Sequence, residues 1–151
     1  MLDQVLLPSM VRRLPERVDA AALIRLLSDS LAGPSGLASP TLEQALSERL
    51  RRGGVATPEG VAFPHAVIAG VHRTVVGLLL VPGGVQLDPA QPPSDLIFAI
   101  AGDSARPWEH VRLLARLSRI TIDESSRRRL RAAPDDAALL AALLAEDARH
   151  G

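Results

Sequence analysis

Gly60-Val61-Ala62-Phe63-Pro64-His65 is a short apolar run closed by a proline and a histidine. Val61-Ala62-Phe63 reads as a strand. Pro64 fixes its own φ and restricts Phe63 before it, so the strand end presents His65 at a cleft with little freedom. Two longer apolar runs follow. Residues 71–81, with Thr74, Val75, Val76, Leu78, Leu79, Leu80 and Val81, predict a long strand that Pro82-Gly83-Gly84 ends. Val85-Gln86-Leu87 reads as a short edge piece, and Asp95-Leu96-Ile97-Phe98-Ala99-Ile100-Ala101 as a buried strand.

Helical patterns flank this strand-rich middle. Upstream, Leu23, Ile24, Leu27 and Leu31 form one stripe of a helix over 19–31, with Asp19 as its cap and Gly33-Pro34 as its stop. Ser39 and Pro40 open a second helix, whose inner stripe is Leu42, Ala45, Leu46, Arg49 and Leu50, and Gly53-Gly54 end it. Downstream, Pro107 opens a helix with His110, Leu113, Leu114, Leu117 and Ile120 on one face. Asp123 caps a helix over 124–132, and an Ala/Leu-rich helix runs over 134–148. The order predicts an α/β chain, a mixed central β-sheet flanked by helices, without revealing strand order. The expected organisation is a single domain over 1–151, with 1–16 as an N-terminal lead segment.

Composition narrows the function. The 151 residues are 47% apolar, enough for a real core, but include only two Phe, one Trp and no Tyr, so the core must be aliphatic. Seventeen basic and seventeen acidic residues cancel, which argues against a nucleic-acid footprint. All the basic residues are arginine, which excludes lysine P-loops and Schiff-base chemistry. With no cysteine there is no disulfide, thiolate nucleophile or cysteine-bound metal. The N-terminal run is a poor signal peptide, and no apolar stretch is long enough to span a bilayer, so a cytoplasmic protein without membrane insertion is expected.

Four histidines remain as chemical candidates: His65, His72, His110 and His150. A neutral imidazole is a good nucleophile near pH 7. His110 falls in the first turn of its helix, where partial positive charge favours a neutral ring and welcomes a phosphate. Arg49 shares an apolar stripe and needs a partner, and a guanidinium fork suits a phosphate or carboxylate. The His65–His72 spacing is not that of a metal site, so no metal is expected. His150, beside the C-terminus, reads as solvated, and Arg127-Arg128-Arg129 with Arg131 as a solvated helix face. No Ser-centred nucleophile elbow accompanies the histidines, which makes a hydrolase remote.

Several segments together resemble the fructose, mannitol and nitrogen-regulatory (type 2) enzyme IIA family of the bacterial phosphotransferase system. Gly60-Val61-Ala62-Phe63-Pro64-His65 is similar to that family's phosphorylation motif, and Ala45-Leu46-Ser47-Glu48-Arg49 to the helix that carries its active-site arginine. Arg49 precedes His65 by 16 positions, as in the family pattern. Pro93-Ser94-Asp95-Leu96-Ile97-Phe98-Ala99-Ile100 resembles its buried strand, and Glu109-His110-Val111 with Leu114 the segment of its second histidine. The tail around Arg128-Arg129-Leu130-Arg131-Ala132-Ala133 resembles the nitrogen-type ending.

The resemblance implies an enzyme IIA-like fold and a phosphoryl carrier. It implies that His65 accepts a phosphoryl group from a phosphohistidine HPr-like donor, that Arg49 stabilises its oxygens and that His110 hydrogen-bonds to them. It implies an enzyme IIB or a regulatory target as acceptor, and no cofactor. Leu50, Gly54, Val55, Ala66 and Val67 depart from the family pattern around the site. They leave an alternative open: a degenerate enzyme IIA-like binding module that signals by protein contact with weak or no phosphotransfer.

Overall fold

The computed structural model describes residues 2–150. A 3-10 turn (Leu2–Gln4) leads into β1 (Leu6–Arg13), then α1 (Ala20–Ser35), α2 (Ser39–Arg51), β2 (Val61–Ala62), β3 (His65–Ile68), β4 (Val75–Val85) and β5 (Ser94–Asp103). Three helices follow: α3 (Pro107–Ile122), α4 (Glu124–Arg131) and α5 (Asp136–His150). The expected α/β architecture is present, a central sheet with helices on both faces.

The sheet order is β1-β4-β5-β2, with β3 also on β5. β4 and β5 pair antiparallel at the centre, with Leu78 opposite Phe98, while β1 runs parallel to β4, and β2 and β3 run parallel to β5. Both faces of the two central strands are covered, which is why they read as near-continuous apolar runs rather than alternating ones. The alternation lies in what each side chain meets. Ile97, Ala99 and Ala101 of β5 pack with Leu23, Leu27, Leu42 and Leu46 of α1 and α2. Leu96, Phe98 and Ile100, on the other face, pack with Leu113, Leu117, Leu130 and Leu139 of α3, α4 and α5.

The helix boundaries follow their chemistry. The Asp19 carboxylate accepts from Ala22 N at 2.7 Å, capping α1 as its sequence predicts. Pro34 does not stop α1: it sits in the last turn, and the helix ends at Gly36. α2 starts with Ser39 and Pro40 already helical, so Ala38 is the N-cap, and the Ser39 hydroxyl bonds the Asp29 carboxylate instead.

Several strand expectations need correction. The 1–16 segment is no mere lead, because β1 is the edge strand of the sheet. Pro8 and a register shift between Leu6 and Val11 disguise it, and both are tolerated at an edge. Pro82-Gly83-Gly84 does not end β4. Gly83 and Gly84 take positive φ of 73° and 75° and make an irregularity, after which Val85 pairs with Ser94. Residues 71–74 precede β4 rather than belonging to it.

At the opposite edge, Val61 faces Leu96 and His65 faces Ile100, so β2 and β3 form one line in unbroken register on β5. Pro64 interrupts that line only as a donor, since its carbonyl still accepts from Ile100 N at 3.0 Å. His65 is therefore the first residue of a second short strand, not the end of the first. Gly60 starts the line with φ +80°, and its carbonyl accepts from Asp95 N and Leu96 N. A Cβ there would sit 2.9 Å from an Arg131 guanidinium nitrogen and 3.3 Å from the Asp95 carboxylate, which themselves form an ion pair. Gly60→Ala is expected to lower stability by about 2 kcal/mol, from left-handed strain plus displacement of that pair, read as a drop in the urea midpoint at unchanged m-value.

Polar locks close the two ends. Leu2 N donates to the buried Asp147 carboxylate at 2.9 Å, and Arg116 pairs with the same group. Arg13 N donates to Asp136 at 2.7 Å, tying β1 to α5. No helix among the described residues is long and apolar enough to cross a membrane.

Candidate active site

Leu42 and Leu46, both fully buried, seat α2 on the sheet. Arg49 lies one turn beyond Leu46 on the same stripe and so emerges at the sheet edge, where α2 packs against β3. There its Nε–H donates to His65 Nε2 at 3.1 Å, and Nη1 donates to the Gly53 carbonyl at 2.6 Å. The partner that a charged group on an apolar stripe requires is thus the histidine 16 positions on.

These contacts assign the His65 tautomer. Nδ1 lies 2.7 Å from the Phe63 carbonyl oxygen, which can only accept, so Nδ1 carries the proton. Arg49 Nε can only donate, so Nε2 holds the lone pair. Burial, opposed by the Phe63 bond, and the Arg49 and Arg52 charges hold the His65 pKa below its ordinary 6.5. The ring is neutral at neutral pH and nucleophilic at the nitrogen that faces Arg49.

His110 comes from the first turn of α3, which Pro107 opens. Its ring lies 4.7 Å from that of His65, the planes tilted by 45°. It is 9% exposed, and its Nδ1 has no hydrogen-bond partner. An orphaned buried donor is costlier than an orphaned acceptor, which favours the proton on Nε2. Burial first, then His65 and Arg49, push its pKa down to about 4.

That shift carries a prediction. Between pH 6.5 and 4 the unfolded chain binds a proton at His110 that the folded chain refuses, so stability is complete above 6.5 and is lost as pH falls toward 4. The loss is expected to reach about 3 kcal/mol. His110→Asn should flatten this part of the stability–pH curve from urea unfolding, and the difference between the two curves separates it from carboxylate titration.

Arg49, Arg52, His65, Val67, Pro107 and His110 line a shallow open cleft of about 410 Å³. The three residues singled out from sequence, Arg49, His65 and His110, therefore share one cleft. Arg52 was not singled out, although it lies one turn beyond Arg49, the spacing of helical neighbours. Trp108 and Val111 stand exposed beside His110, at 58% and 64%.

Two expectations are overturned nearby in sequence but far from the cleft. His150 is not merely solvated: its Nε2 lies 2.9 Å from the Ser126 hydroxyl, beside Asp123 and Glu146. The arginine run is a solvated face only in part: Arg128 is exposed, but its neighbours reach across to other elements. Arg129 pairs with the buried Glu146, Arg131 with Asp95, and Arg127 caps the Thr121 carbonyl at 2.7 Å. Glu146, which accepts from Arg129 and Ser126, is held down to about 2. These residues join α4 to α5 and to the Gly60 turn. The reason is tertiary: Glu146 lies seventeen positions from Arg129, Asp95 thirty-six from Arg131, and Thr121 belongs to α3 rather than to the α4 of Arg127. His72 is exposed on the turn before β4 and takes no part in the cleft.

Comparison with known proteins gives the family and the fold. Residues 5–146 match the model of the family described as phosphoenolpyruvate-dependent sugar phosphotransferase system, EIIA 2. No curated protein sequence matches the chain. Among solved structures, the nitrogen regulatory protein IIA-Ntr of Neisseria meningitidis superposes with a TM-score of 0.84 at 24% identity, covering 93% of this chain and 97% of that one. IIA mannitol of Escherichia coli gives 0.70 at 23% identity, covering 87% and 94%. The Escherichia coli complex of enzyme IIA mannitol with phosphorylated enzyme IIB mannitol gives 0.72 at 21% identity, covering 93% and 99%. At these identities the superpositions speak for the fold, and the family match spans nearly the whole sequence: the chain belongs to the EIIA type 2 family of the phosphoenolpyruvate-dependent sugar phosphotransferase system.

Proposed function

We propose that this phosphotransferase-system component carries its phosphoryl group on His65 Nε2, received from a phosphohistidine HPr-like protein and passed to an enzyme IIB or a regulatory target. The observation that carries this reading is the bond from Arg49 Nε–H to His65 Nε2, with the opposite ring nitrogen anchored on Phe63 O. It aims an unprotonated imidazole nitrogen into a basic open cleft.

The transfer follows from these contacts. The Nε2 lone pair attacks phosphorus in line, and the bond from phosphorus to the donor imidazole breaks, its electron pair returning to the donor ring. His65 keeps its Nδ1 proton throughout, so the phosphorylated ring is an imidazolium. The Phe63 carbonyl, 2.7 Å from Nδ1, stabilises that cation. A positively charged ring is also a good leaving group, which suits a carrier that must give up what it accepts. The Arg49 Nε–H, which first holds Nε2, is already beside the atoms where negative charge spreads and transfers its bond to a phosphoryl oxygen. His110, held neutral by burial, supplies an Nε2–H donor. No nucleotide or metal enters this step.

We further propose that the chain acts in the cytoplasm as one domain over 1–151, with a regulatory rather than a transport role favoured by the arginine-rich nitrogen-type tail around Arg128–Ala133. The test is intact-mass measurement after incubation with phosphorylated HPr-type donor. One added phosphoryl group, mapped to His65, supports the carrier. An unchanged mass with a competent donor favours the alternative of a contact-only module.

A further inference from the structure

Arg49 enters the reaction with two of its donors committed, one to His65 and one to the Gly53 carbonyl. A phosphoryl group brings three strongly accepting oxygens and close to two negative charges. The loop after α2, Gly53-Gly54-Val55, has no side-chain donor to offer them, and Val55 is in any case 1% exposed. The nearby Thr57 hydroxyl is used on the Val61 carbonyl. One cation remains. Arg52 ends α2, lines the same cleft as Arg49, His65 and His110, and among the described residues its guanidinium makes no hydrogen bond or ion pair. Its charge is felt at the nucleophile, where it helps to keep the His65 ring neutral. Arg51, adjacent in sequence, does neither: its Nε bonds the Ser47 carbonyl and it does not line the cleft.

We infer that Arg52 is a second phosphoryl-binding residue, folding its uncommitted guanidinium over the oxygens of a phosphoryl group seated on His65 that Arg49 leaves open. The inference rests on His65 being the acceptor. Division of labour follows from exposure. Arg49 is half-buried and pre-positioned, so it orients the group. Arg52 is exposed and unpaired, so it adds charge without trapping the phosphoryl group in a site it must leave.

The experiment compares wild type, Arg52→Gln, Arg52→Lys, Arg51→Gln and His65→Ala in single-turnover transfer from phosphorylated HPr-type donor. The His65 pKa is read by NMR in the unphosphorylated proteins. Arg52→Gln is expected to slow transfer about tenfold and to raise the His65 pKa, because the one charge removed both attracts the phosphoryl group and disfavours the protonated ring. Arg52→Lys should recover most of the rate, and Arg51→Gln, with the same net charge change, should stay within twofold on both readouts. Arg52→Gln within twofold of wild type overturns the inference while leaving His65 as acceptor intact, and so does an equal loss in Arg51→Gln. Labelling of His65→Ala, or none of wild type, overturns the reading of the site and the inference with it.

Discussion

His65→Ala is expected to accept no phosphoryl group: incubation with phosphorylated donor should leave its mass unchanged where wild type gains one phosphoryl. No neighbouring group can stand in. His110 is the other imidazole in the cleft, and it is 9% exposed, so it lacks the approach that in-line attack demands. The guanidinium groups are protonated and have no lone pair to give. The loss should be chemical rather than structural, since His65 is half-buried and makes two side-chain hydrogen bonds at the sheet edge. His65→Gln sharpens this, because its amide can still donate toward Phe63 O while offering no nucleophile. Far-UV circular dichroism and the urea midpoint of both variants should stay close to wild type, and a His65→Ala protein labelled to full stoichiometry would remove the acceptor assignment.

Arg49→Gln is expected to slow transfer by about 10²–10³-fold, the scale for removing a pre-positioned donor from developing charge. Arg49 acts at three points. It bonds Nε2, it lowers the His65 pKa, and its own orientation is set by Gly53 O. Arg49→Lys should therefore recover little, since one ammonium cannot reproduce a planar fork that holds an imidazole on one side and a carbonyl on the other. The pH profile supplies a second readout. His65 reacts only as the neutral ring, so the wild-type rate falls as pH drops through a pKa held below 6.5. Without the Arg49 charge that pKa rises, and the acid limb of the rate profile should move to higher pH. A Gln variant with an unshifted profile and an undiminished rate would show that the guanidinium does not act on the phosphoryl group.

The central strands and the five helices were legible because each carried a local signal, and Arg49, His65 and His110 were picked out by the resemblance of their segments to the enzyme IIA family. β5 is an unbroken apolar run, and α1 has its Asp19 cap and a stripe at helical spacing. β1 was not legible: Pro8 and the Leu6–Val11 irregularity imitate a loop, and only pairing with β4 makes them an edge strand. The continuation of β4 through Gly83 and Gly84 was hidden for the same reason, since a strand break and a bulge use the same residues. The pairing of Arg129 with Glu146 and of Arg131 with Asp95 was invisible because a charged run looks alike whether it faces water or carboxylates from another element.

Residue chemistry and spacing along the chain established the layered α/β architecture, since strand and helix periodicity are local properties, and the resemblance of its motifs to the enzyme IIA family nominated Arg49, His65 and His110. Folding settled matters of another kind: which His65 nitrogen bears the proton, how far His110 falls below an ordinary histidine, and that Arg52 stands unpaired beside the nucleophile. Hydrogen-bond direction, desolvation and charge proximity depend on atoms brought together from α2, β3 and α3, and those separations exist only in three dimensions.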